Sequence, residues 1–112
     1  MQYALAIYAP PASDRVLPEA ERDAVYAEYL AMADDPRVVG ATRLAPAETA
    51  TSVRVIGGRT LMTDGPFADT KEVLGGFALI EAANLDEAVA MAAQVPAARY
   101  GGGVEVRPVV QL

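Results

Sequence analysis

Gly75-Gly76-Phe77-Ala78-Leu79-Ile80-Glu81-Ala82-Ala83-Asn84-Leu85-Asp86-Glu87-Ala88-Val89 is the stretch on which the fold turns. Its first half reads as a strand from Leu74 to Ala83, opened by two glycines. Side chains alternate along an extended chain, so Phe77, Leu79 and Glu81 share one face while Ala78 and Ile80 share the other. Asn84 then has the chemistry of a helix N-cap, and Glu87 stands three residues on, as in a capping box. Leu85, Ala88, Val89 and Ala92 recur at helical spacing as a buried stripe, and Pro96 closes the run. The stretch is thus a strand feeding directly into a capped helix.

The same unit appears at the start of the chain. Gln2 to Ala9 alternates, with Tyr3, Leu5 and Ile7 on one side and Ala4, Ala6 and Tyr8 on the other, a strand covered on both faces. Pro10 and Pro11 end it. A helix follows from Pro18 to about Asp34, with Glu19 and Glu21 where the helix dipole favours acid. Val25, Tyr26, Tyr29, Leu30 and Ala33 are its expected apolar stripe. Val38 to Leu44 is a second strand, and Val104 to Val110 a last one, reached through Gly101 to Gly103.

Thr51 to Ile56 and Arg59 to Thr63 flank Gly57-Gly58. Two glycines between strand-like runs signal a hairpin, because a type I′ turn needs positive φ at both central positions. Without this arm the order is βαββαβ, the split-βαβ plan. The expected class is therefore α+β: a ferredoxin-like, four-stranded antiparallel sheet with both helices on one face and a hairpin insertion. The other sheet face carries too many apolar groups to stay wet. It predicts a homodimer burying more than about 1,200 Å².

Composition narrows the function. A chain of 112 residues makes a single domain. The net charge is −6 and the 9 basic residues are scattered singly, so nucleic acid and anionic membrane are poor partners. There is no cysteine and no histidine. Disulfides, thiolate sites and a serine–histidine triad are excluded, and the expectation is no cofactor and no transition metal. The longest apolar run, Tyr3 to Ala9, falls far short of the roughly 20 residues of a membrane helix. With no charged region before it, a signal peptide is not expected, and the protein reads as cytoplasmic.

Thr63-Asp64-Gly65-Pro66-Phe67-Ala68-Asp69-Thr70-Lys71-Glu72 is the most distinctive segment. Together with Glu48 to Val55, Leu61-Met62-Thr63, Gly75-Gly76-Phe77, Ala88-Val89 and Gly103 to Val109, it resembles the DGPF branch of the YCII-related proteins. The likeness covers about the C-terminal two thirds; the first third matches by its strand–helix pattern. The resemblance implies a dimeric α/β barrel of ferredoxin-like subunits in a family that is mostly uncharacterised. Some relatives in the wider family use a His–Asp pair for acid–base work, which a chain without histidine cannot do. Genes of DGPF proteins often lie beside alternative sigma factors, which implies an accessory role and a sigma-factor-related protein partner.

The residues themselves give two candidate sites. Asp64-Gly65-Pro66 is turn chemistry: Asp accepts nearby backbone N–H groups, Gly gives freedom and Pro fixes φ. Phe67 then anchors a groove, or else Asp64 sits at a pocket mouth with Lys71 or Glu72 beside it. The second candidate comes from strand parity. Arg54, Glu81, Glu105 and Arg107 are expected to gather on the open sheet face, either as an ion-pair network across a dimer or as a polar pocket. Arginine forks suit a small anionic ligand. The ligand-binding set is thus Arg54, Asp64, Phe67, Lys71, Glu81, Glu105 and Arg107, in a ligand-binding or accessory domain. The alternative is a small cofactor-free lyase or isomerase with Asp64 or Glu81 as a carboxylate base.

Overall fold

A computed structural model describes residues 1–10, 18–67 and 72–111. Lys71, one of the candidate ligand residues, lies outside them. Six strands and two helices follow in the order β1 (Gln2–Ala9), α1 (Glu19–Ala33), β2 (Val38–Arg43), β3 (Thr51–Ile56), β4 (Arg59–Asp64), β5 (Val73–Glu81), α2 (Leu85–Ala93) and β6 (Gly103–Pro108). Four strands form one sheet in the order β2-β5-β1-β6. Each neighbouring pair is antiparallel. This arrangement, with two helices, is compatible with a ferredoxin-like α+β fold.

The core lies on one face of that sheet. Tyr3 and Leu5 of β1 and Ala78 and Ile80 of β5 pack with Ala88, Met91 and Ala92 of α2. Ile7, Val95 and Ala97 form a second cluster, joined by Tyr29 and Met32 of α1. Both helices therefore cover the Tyr3–Leu5–Ile7 face, as the apolar periods predict.

The helix stripes differ from those expected. On α2 the buried residues are Ala88, Met91 and Ala92. Leu85 and Val89 are about half exposed, at 52% and 49%. Alanine lets the helix axis come close to the sheet, so the small-residue side faces inward and the larger Leu85 and Val89 are left outside. On α1 the inward residues are Val25, Tyr29 and Met32, spaced i, i+4, i+7. Tyr26 and Leu30 are turned outward.

The cap expected at Asn84 is present. Its side-chain oxygen accepts the Glu87 N–H at 2.9 Å. Glu87 reaches back one residue further than a capping box prescribes, accepting the Ala83 N–H at 3.4 Å. Its other oxygen accepts from Arg37 at 3.3 Å, and Arg37 forks onto Asp35 at 2.7 and 3.1 Å. That fork and the Arg37 N–H hold the Asp35 carboxyl down to about 2.

The backbone is tightest where the chain enters β6. A Cβ at Gly102 would stand 2.1 Å from the Tyr8 carbonyl oxygen and 3.0 Å from that of Ala97. Only glycine fits there.

The β3–β4 hairpin stands apart as a second, two-stranded sheet. Ile56 pairs with Arg59 across a two-residue turn whose glycines have φ of +57° and +77°, as expected for type I′. Nearly every hairpin residue is exposed. A lone two-stranded hairpin is marginal in water, because it has no face to bury. The whole chain shares this openness. Its radius of gyration is 15.8 Å, against about 13 Å for a compact domain of this length. Its accessible surface is 7896 Å², roughly 2,000 Å² more than a compact monomer of this size presents.

Candidate functional site

Strand register builds the uncovered sheet face row by row. Ala4 lies between Leu79 and Arg107, and Ala6 between Phe77 and Glu105. On the far side of β5, Gly40 faces Leu79 and Thr42 faces Phe77. Two alanines in the central strand thus form a low floor. Leu79 and Phe77 rise along one flank, Arg107 and Glu105 along the other, about 10 Å away at the backbone. Phe77 is 50% exposed. The result is a trough that is apolar on one side and charged on the other.

Glu81 lies at one end of this trough, opposite Gln2, with its carboxylate 3.4 Å from the Met1 amino group. Among the described residues Glu105 and Arg107 enter no ion pair; the pairs formed are Met1–Glu81, Arg37–Asp35, Arg37–Glu87 and Arg99–Glu28.

Arg54 does not join them in the sheet. It lies on the hairpin, opposite Leu61, in a groove of about 250 Å³ that Ser52, Thr63, Pro66 and Phe67 also line. Its guanidinium sits 4.6 Å from the centre of the Phe67 ring, a cation–π contact. The turn that presents Phe67 is tied down at two points. The Ser52 hydroxyl donates to the Gly65 carbonyl at 2.5 Å, and the Gly65 N–H donates to the Ala50 carbonyl at 2.7 Å.

Of the seven ligand candidates, the chain brings together Arg54 with Phe67 in one place and Glu81, Glu105 and Arg107 in another. The expected gathering of all four charges on one sheet is corrected by the topology, because among the described residues β3 pairs only with β4. Asp64 is separated again: it pairs with Thr51, which places it on the Val53 side of the hairpin, away from Arg54. Asp64 and Glu81 are both exposed. Ser52, Thr63 and Leu61 line the groove but were no part of the expected set; their shared parity with Arg54 across the glycine turn was the available signal.

Among the described residues no three acidic side chains converge as a metal site. No described helix is long and apolar enough to cross a membrane.

The chain matches the YCII-related domain over residues 1–112, its whole length. It belongs to the YCII-related family. The match thus includes the first third, where the sequence motifs were weakest. An uncharacterised protein of Rhizobium meliloti (strain 1021) is 48% identical over 67 residues. That alignment takes in 59% of this chain and 54% of the relative, so the likeness spans about half of the relative's length.

Proposed function

We propose that this YCII-related protein is a homodimeric ligand-binding domain of the DGPF branch, whose two open sheet faces enclose a site for a small carboxylate. The observation that carries the reading is the trough. Arg107 meets no carboxylate among the described residues, yet it stands at the edge of an apolar floor that a folded protein does not leave in water. Once that face is covered, a desolvated guanidinium calls for an anion, and a carboxylate fits its fork with two parallel hydrogen bonds. The surface excess of the single chain supports a large, obligate interface, and two such faces packed together form the dimeric α/β barrel.

This reading makes the protein an accessory domain that holds a small molecule, and a sigma-factor-related protein is the partner class that would read its occupancy. The test is direct. Light scattering at micromolar concentration should give a dimer mass. Calorimetric titration with benzoate, whose ring suits Phe77 and whose carboxylate suits Arg107, should show binding that Arg107→Met abolishes without changing the mass. A monomer, or unchanged benzoate binding by Arg107→Met, would overturn the reading.

A further inference from the structure

We infer that the β3–β4 hairpin is an arm that docks on a second copy of the chain, its Arg54 side lying over the open sheet face and the Arg54 guanidinium meeting the partner's Glu105. The inference rests on the homodimer proposed above and adds which surface is exchanged and what it contributes.

Area gives the first argument. A four-stranded face about 20 Å on a side has a footprint of roughly 400 Å². The surface excess is roughly 2,000 Å² per chain. Packing of the sheet faces alone leaves most of that excess uncovered. The hairpin contributes to it, with Ile56 60% and Leu61 44% exposed, and Phe67 in the turn after it is 64% exposed. A symmetric pair burying both arms would reach the range of obligate homodimers, about 2,000–5,000 Å² in total.

Charge chooses the face. The hairpin's two sides differ: Arg54 and Arg59 share one, and Asp64 is on the other. The open sheet face carries Glu81 and Glu105 beside Arg107. Among the described residues Arg54 has no carboxylate and Glu105 has no cation. Both would be left unpaired in a covered interface, which is costly, unless they meet each other. The groove between Arg54, Leu61 and Phe67 offers a recess on that same side for the exposed ring of the partner's Phe77. Two-fold symmetry then gives each sheet one arm. With Glu105 occupied by Arg54, Arg107 is left as the unpaired cation among the described residues of that face, and the carboxylate site has a roof that one chain alone lacks.

The absence of cysteine makes the test clean. Leu61→Cys and Phe77→Cys chains, co-expressed and oxidised, should yield a disulfide between the two different chains, identified by mass. Val53→Cys, on the opposite side of the hairpin, should not. In the full-length protein, Arg54→Glu should weaken the dimer at least tenfold on dilution, and Arg54→Glu combined with Glu105→Arg should restore most of the loss. A dimer that cross-links through Val53 instead, or through neither, overturns the docking while leaving the homodimer standing. So does Arg54→Glu without effect on dissociation, or a double variant no better than the single. A wild-type monomer removes both the docking and the dimer.

Discussion

The sheet face under the helices and the hairpin arm are built from similar residues and have opposite fates. Val, Ile and Leu recur in both, although on the hairpin they are interleaved with Thr and Arg. On the four-stranded sheet they have α2 and its alanines above them, and Leu5 and Ile80 are sealed from water at 1% and 0% exposure. On the hairpin Val55 and Ile56 stay 67% and 60% exposed, because two strands supply no second layer. Apolar sequence therefore specifies a wish to be buried, and topology within one chain grants it to only one of the two regions. The other stays open to solvent in the single chain.

Substitutions should separate the two regions sharply. Gly102→Ala has the largest expected effect, on the order of 4 kcal/mol or outright failure to fold, since a methyl group would overlap the Tyr8 carbonyl. Ile80→Ala should cost about 3–4 kcal/mol in a thermal or urea melt, by cavity formation in a closed core. Ile56→Ser, on the Arg54 side of the arm and 60% exposed, is the informative contrast. In a lone chain it should stay within about 0.5 kcal/mol, so a melting temperature that falls with dilution more steeply than the wild type's would place the arm in an interface. Asn84→Ala should lower stability by about 1 kcal/mol through loss of the α2 cap.

The smallest effect concerns pH. Asp35 is depressed from an unfolded value near 3.8 to about 2, first by its side-chain bond with Arg37. A depressed carboxyl stabilises the fold above its unfolded value and loses that contribution as pH falls towards the folded one. Asp35→Asn should therefore flatten stability against pH between about 4 and 2, with little change in shape at neutral pH, as followed by circular dichroism. An acid limb that is unaltered would assign the pH dependence to other carboxylates.

Much of this arrangement could be read from the chain because it rests on local rules. Alternation in β1 and β5, the Gly57-Gly58 turn and the Asn84 cap depend on neighbours in sequence. The helix stripes were less legible. Leu85 and Val89 are more hydrophobic than Ala88 and Ala92, and hydrophobicity alone picks them for the core; what decided otherwise was how closely a helix can approach a sheet. The charged cluster was legible in its sheet half, where parity sets Glu81, Glu105 and Arg107 on one face. Arg54 was misplaced because parity within a hairpin says nothing about which sheet the hairpin joins. Asp64 was misplaced by its motif: a turn residue looks like part of a pocket until register shows which way it points.

Strand β1 has one further property. Tyr3, Leu5 and Ile7 carry the bulk that makes the protein fold, and between them Ala4 and Ala6 carry only a methyl group each beneath the trough. The depth of the trough is therefore adjustable by single codon changes that leave the opposite face untouched. Ala4→Gly would deepen it beside Arg107, and Ala6→Val would make it shallower beside Glu105. Such changes reshape the trough without renegotiating the packing that keeps the chain folded.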